Sequence, residues 1–210
     1  MIHLVVAPIV EGQGEVAALP VLLRRIAVEF CPGTSIEVLK PVRQPASSLV
    51  KLESDCLRNA VGLAAGKLAG SQHASSKRLI LILIDSDGRC AAQIGPELKR
   101  RANEYASHVH TASVVAVDEF ETWFVAAATS LTKYLEFNPK DVPPDPESKR
   151  SKTKWIEDHT RGLKYHKPVD QPKFSAAMDL RLCRSRSPSF DKLCREIERM
   201  ARPGVDLAES

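Results

Sequence analysis

The apolar positions of the chain fall into runs of two alternating kinds. HLVVAPIV (residues 3–10) is the continuous apolar run of a buried strand, and EVAALPVLLRRIAVEF (15–30) has a stripe at Val16, Leu19, Leu23 and Ile26, the spacing of a helix. Pro20 is expected within the first turns of that helix, where a missing N–H is tolerated. CPGTS reads as a turn, SIEVLKPV (35–42) as a second strand, and SSLVKLESDCLRNAVGLAAGKLAG (47–70) as one amphipathic helix opened by a serine. RLILILIDSDG contains six consecutive Leu and Ile residues (79–84), as expected where both sheet faces are covered. GPELKRRANEYAS, HTASVVAVDEF and FETWFVAAATSL add a helix, a strand and a helix. This order predicts an α/β, Rossmann-like, mostly parallel sheet of about four strands flanked by helices.

From residue 138 the pattern changes. NPKDVPPDPESKRSKTK (138–154) combines proline and charge with almost no large apolar residues, which predicts an exposed linker. Two helical patterns follow, near 173–183 and 188–202. The expected organisation is an α/β domain over 1–137, with a basic linker and a C-terminal helical extension packed on it over 138–210.

Charge sharpens that division. The formal net charge is +4, yet residues 1–139 carry 14 basic and 14 acidic residues, so the surplus is C-terminal. Between 148 and 195 stand 13 Lys or Arg against 5 Asp or Glu, interrupted by Trp155, Tyr165 and Phe174. Such a surface can follow a phosphate backbone, with Lys149, Arg150, Lys152, Lys154, Lys164 and Lys167 as the candidate contacts; a solvated helical face has the same composition. No base-reading motif is present, so binding would be largely phosphate-driven and steeply salt-dependent, with DNA and RNA both open as the polymer. The five cysteines are widely spaced without zinc-ligand patterns, and no apolar stretch approaches the roughly 20 residues of a membrane span. A cytoplasmic protein with reduced thiols and no membrane partner is expected.

The chemistry concentrates at strand ends. In an open parallel sheet ligands bind beyond the carboxyl ends of the strands. There the sequence puts Glu11 after strand one, with Glu15 one helical turn on, Asp85 and Asp87 after the Leu/Ile strand, and Asp118, Glu119 and Glu121 after HTASVVAV. Like charges gathered within a few ångströms raise one another's pKa or repel, and a divalent cation relieves the conflict. Hard oxygen donors suit Mg²⁺ or Mn²⁺. Asp85 and Asp87, two apart on an extended strand end, are expected to point the same way. Singly, each acid also fits a solvated turn or a helix N-terminal charge.

E-G-x-x-E after a strand, with D-x-D-G ending a long apolar strand, resembles the two motifs of the Toprim domain, and the nuclease branch of OLD-family proteins most closely. EFETWF and YHKPVDQP further resemble a compact bacterial Toprim-like family of uncharacterised function, found beside AAA-type ATPases of mobile elements and anti-phage defence systems. The resemblance implies a metal-dependent nuclease with a partner ATPase. It implies Glu11 as ligand or general base, and Glu11, Glu15, Asp85 and Asp87 as the metal set; by their place after the next strand, Glu119 or Glu121 is expected as a further metal ligand or as a group supporting one. The OLD-type site also uses a lysine near its C-terminal end; Lys164 and Lys167 are both candidates. Two other classes stay open: a Toprim module that binds without turnover, and a dinucleotide-binding protein, because GQGEVA (12–17) matches G-x-G-x-x-A. In the latter case Glu11 and Glu15 would flank the pyrophosphate with negative charge, and the second strand has Lys40 and Arg43 but no acid to hold a ribose.

Overall fold

Alternation along one strand organises the whole molecule. In β4 (Lys77–Asp85), Leu79, Leu81 and Leu83 turn to one face of the sheet, and Ile80, Ile82 and Ile84 turn to the other. The computed structural model describes residues 2–71, 76–148, 151–162 and 164–204. β1 (Ile2–Val10) divides its side chains in the same way, Leu4, Val6 and Val10 against Val5, Ala7 and Ile9. Both faces are therefore dry, which explains the unbroken apolar runs.

All five strands are parallel. β2 (Thr34–Val38), β1, β4 and β5 (His110–Ala116) lie side by side in that order, and β3 (Val42–Arg43) pairs with the last residues of β1. β2 and β3 share one edge of β1. The expected single strand 35–42 is split before Val42, where Pro41 has no N–H to give the ladder.

α1 (Gln13–Phe30) covers the leucine face, and α3 (Cys56–Ala69) and α4 (Ala91–Tyr105) cover the isoleucine face. Pro20 lies inside α1, beyond the first turns where it was expected, and the helix runs through it because Leu19, Leu22, Leu23 and Ile26 are fully buried on both sides of it. The expected helix 47–70 is two helices, since α2 (Ala46–Val50) stops where the buried Arg101 guanidinium donates to the carbonyls of Leu49, Val50 and Lys51 at 3.4, 3.3 and 3.2 Å.

The C-terminal half joins the leucine face. α5 (Thr122–Ala126), α6 (Lys152–His159), α7 (Lys167–Ala177), α8 (Leu180–Arg186) and α9 (Pro188–Met200) bury Trp123, Phe124, Ile156, Phe174, Cys183, Phe190 and Ile197 in one cluster with Leu4, Val6 and the α1 leucines. The pattern expected at 173–183 is two helices, because Asp179 caps a new one by accepting from Leu182 N at 2.9 Å. The described part of the expected linker is tied down: Pro143 and Pro146 are buried, and Glu147 accepts from Ser187 Oγ at 2.6 Å and from Ser189 N at 2.9 Å. Hydrogen bonds supply there what apolar side chains do elsewhere.

Candidate active site

The chain leaves β1 for β2 on one side and leaves β4 for β5 on the other, so the crevice between the carboxyl ends of β1 and β4 is the sheet's switch point, where ligands bind in open α/β sheets. Glu11, Glu15, Asp85, Asp87, Glu119 and Lys167 line a cavity of about 400 Å³ there. Of the seven acids expected at one rim, Asp118 and Glu121 do not line this cavity.

The glycines of E-G-Q-G-E admit side chains. A Cβ on Gly12 would stand 2.3 Å from Glu15 Oε2, and one on Gly14 would stand 2.0 Å from Gln171 Oε1. Glu15 is thus folded back over the turn and Gln171 comes in against α1. Both glycines serve internal approaches, which removes the reason for reading them as a pyrophosphate cradle. Glu15 is 6% exposed, and its pKa is raised by burial and by the charge of Glu121, against the hydrogen bond from Gln171 Nε2 at 3.4 Å.

Asp85 closes β4. Its pKa is pushed well above the usual carboxylate range by burial, then by Glu15, Glu121 and Glu11, with Lys167 pulling the other way. Asp87 is not on an extended strand end as expected: its φ is +47°, in a turn after β4, and it pairs with Arg89 at 3.4 Å. The turn is locked to the one after β5. Ser86 N donates to Ala116 O (2.9 Å), Asp87 N to Asp118 O (3.2 Å), and Asp118 N, in a residue at φ +64°, donates to Ser86 Oγ (2.8 Å). Aspartate tolerates the left-handed region better than most residues, so its use at both bends has a local reason.

Glu119 and Glu121 have different work. One Glu119 oxygen accepts from the N and Oγ1 of Thr153, tying the β5 turn to α6. Glu121 is completely buried and is the hub of a network. Tyr165 Oη donates to it at 2.9 Å, Gln171 Nε2 at 2.9 Å, and Lys167 Nζ at 3.2 Å. Its oxygens are engaged by protein donors, so the expectation of Glu121 as a metal ligand gives way to that of a support for Lys167 and Gln171. Burial and the adjoining Glu121 push the Tyr165 hydroxyl far up, which keeps it a donor.

The lysines separate clearly. Lys167, the first residue of α7, brings its ammonium to the carboxylate cavity. Burial lowers its pKa, but Glu121, Glu119 and Asp85 outweigh that, and it rises. Lys164 is exposed and lines neighbouring cavities instead. Lys152 is not on a phosphate-tracking surface: it is 1% exposed, its Nζ lies 3.9 Å from Asp118 Oδ2, and burial lowers its pKa against the pull of Asp118. Lys154 is exposed and pairs with Asp158 one turn along α6. Lys149 and Arg150 lie outside the described residues.

The donors fit Mg²⁺ or Mn²⁺ in kind. Among the described residues, Glu11 Oε2 and Glu15 Oε2 are buried oxygens without a hydrogen-bond partner. They do not form a finished cage, since no three His, Cys, Asp or Glu side chains among the described residues converge closely enough to hold an ion. Tyr165, expected among the aromatics of a basic surface, is instead buried against Glu121, and Gln171 has as its local signal in the sequence the spacing from Lys167, four apart on one helical face.

The model of a domain of unknown function, DUF4276, matches residues 10–198. The chain belongs to the DUF4276 family. No curated protein and no solved structure matches it. The DUF4276 match takes in every described residue of the cavity and extends into α9, so the family unit includes the helices that supply Lys167 and Gln171.

Proposed function

We propose that this DUF4276 protein is a Mg²⁺- or Mn²⁺-dependent phosphodiesterase of the Toprim type, a nuclease. The observation that carries the reading is the meeting of Glu11, Glu15, Asp85 and Asp87 with the Lys167 ammonium in one cavity at the switch point of a parallel sheet. With Asp85 and Asp87 lining the same cavity, Glu11 and Glu15, each with a buried oxygen that lacks a hydrogen-bond partner, would hold the ion. When bound, it supplies the charge that positions a scissile phosphate, acidifies an attacking water and stabilises the leaving oxygen.

The protein's own groups do the rest. Glu11, with one oxygen lacking a partner, serves as ligand or takes the water's proton. Lys167 presents a permanent positive charge toward the phosphoryl oxygens, where charge grows as the bond breaks. Glu121 fixes the direction of that ammonium, and Tyr165 and Gln171 keep Glu121 in place. Asp85, whose proton is held by burial and acidic neighbours, would give up that proton when a cation enters.

A role in mobile-element or anti-phage defence and an AAA-type ATPase partner accompany the Toprim resemblance, and the widely spaced cysteines support a cytoplasmic setting. Among the described residues no helix is long and apolar enough to cross a membrane. The test is incubation of the purified protein with labelled DNA and RNA pools in Mg²⁺, Mn²⁺ or EDTA, beside Asp85→Ala. Cleavage that needs the metal and Asp85 is expected. Binding without cleavage by the parental protein, even with its neighbouring ATPase supplied, would make it a non-catalytic Toprim module.

A further inference from the structure

Three cavities lie end to end along the segment that enters α7. The carboxylate cavity shares Lys167 and Pro168 with a second one, which also touches Thr153 and Glu157; the second shares Lys164 and His166 with a third of about 380 Å³. The path therefore runs from the acids over residues 164–168 to a region of opposite charge. Lys133, Arg161, Lys164 and Lys173 line the third cavity, all of them exposed, against one carboxylate, Asp170.

That carboxylate is already used. Asp170 accepts from His166 N at 2.8 Å through one oxygen and from Lys173 Nζ at 2.9 Å through the other. Arg161 is partly occupied by Glu136 at 3.7 Å, whereas Lys164 has no ionic partner among the described residues. Positive charge is in excess, and an anion would answer it. The aromatic in the wall is not a free stacking surface, because Tyr134 has the Lys133 ammonium over its ring at 5.6 Å and Phe174 at 5.2 Å. The cavity reads charge rather than bases.

We propose that this cationic cavity is a subsite for the phosphate groups of a nucleic-acid strand, which crosses residues 164–168 to bring its scissile phosphate to the carboxylates. The subsite rests on the phosphodiesterase reading for its place beside the chemistry, but its charge binds phosphate directly, without a metal. The strand is held with no preference for sequence.

The test measures binding of a labelled single-stranded oligonucleotide by fluorescence anisotropy in EDTA, so that no cleavage intervenes. Lys133→Gln with Lys164→Gln is compared with the parental protein and with Asp85→Asn, their thermal midpoints being recorded alongside. Losing two contacts, each releasing about 0.7 counterion on a single strand, raises Kd about 25-fold at 0.1 M salt and flattens the salt slope by about 1.4. Each single lysine variant gives about half that slope change, and Asp85→Asn binds at least as well as the parent. Unchanged Kd and slope in the double variant, or no oligonucleotide binding by the parental protein, overturns the subsite. Weakened binding in the double variant, with no cleavage by the parent in Mg²⁺ or Mn²⁺, keeps the subsite and removes the phosphodiesterase reading.

Discussion

Gly14 of α1 and Gln171 of α7 touch so closely that a single methyl group could not fit between them: a Cβ at position 14 would lie 2.0 Å from Gln171 Oε1 and 3.1 Å from the Lys167 carbonyl. Gln171 is fully buried and donates to both Glu15 and Glu121, so it has nowhere to retreat. Gly14→Ala is expected to cost about 1–3 kcal/mol, more than the ~1 kcal/mol that alanine gains inside a helix. Gly62→Ala in α3, where nothing stands within 4 Å, is the matched control and should stabilise by up to about 1 kcal/mol. Urea unfolding of the two variants checks the pair; equal shifts would mean that the contact with Gln171 is slack.

The raised pKa values of Glu15 and Asp85 fix the sign of a pH effect. The folded state holds these protons more tightly than the unfolded chain, so their contribution is most favourable at low pH. It is lost as pH rises from the ordinary carboxylate range through the raised folded values. In EDTA, the stability of the parental protein relative to Asp85→Asn should therefore fall as pH rises above about 4, the ordinary carboxylate value. A difference that grows with pH would show that Asp85 is stabilised by a cationic partner instead.

Added Mg²⁺ or Mn²⁺ should oppose that loss. An ion that binds only the folded protein stabilises it by about 2.7 kcal/mol at a hundredfold excess over its Kd. The rise in thermal midpoint should be larger at high pH, where the acids are ionised, and should shrink in Asp85→Asn. A pH-independent rise common to both proteins would locate the ion elsewhere.

Lys167→Met removes the only lysine among the described residues of the carboxylate cavity, which leaves Glu121 buried with one donor fewer. Cleavage should fall about 10²–10³-fold in kcat, the scale of losing one charge-stabilising donor. KM should change less. A variant that loses affinity while keeping kcat would place Lys167 among substrate contacts only.

Lys152→Met exchanges a buried ammonium for a side chain of similar length. Because Lys152 is shielded from solvent and faces Asp118 at 3.9 Å, oligonucleotide affinity and its salt slope should be unchanged. Stability should fall by about 3–5 kcal/mol, since losing one partner of a buried pair leaves the Asp118 carboxylate without its counter-charge. A reduced salt slope would return Lys152 to the binding surface.

The fold could be read from sequence wherever burial repeats along the chain. The Leu and Ile of β4 revealed a strand covered on both faces, and parallel strands carry their following acids to one rim, so Glu11 and Asp85 were predictable neighbours. What escaped depends on contacts that leave no periodic trace. Arg101 ends α2 from 50 residues away, and Gln171 meets Glu15 across 156. The helix expected near 173–183 begins earlier, at Lys167, with Pro168 in its first turn and the Asp170 carboxylate accepting from His166 N. Lys152 counted as surface because charge near prolines suggests solvent, and only packing of α6 on the β5 turn buries it.

The separation of Glu15 from Gln171 also sets the order of events at synthesis. Translation runs from the N-terminus, so β1, α1 and the acidic rim leave the ribosome long before Lys167, Gln171 and Tyr165 exist to balance them. A nascent or truncated chain ending near residue 137 carries Glu15 and Glu121 without their donors and exposes the apolar flank of α1. The carboxylate cavity is completed by a segment made after the whole sheet, and any chain released before it lacks the lysine and glutamine that give the cavity a working charge.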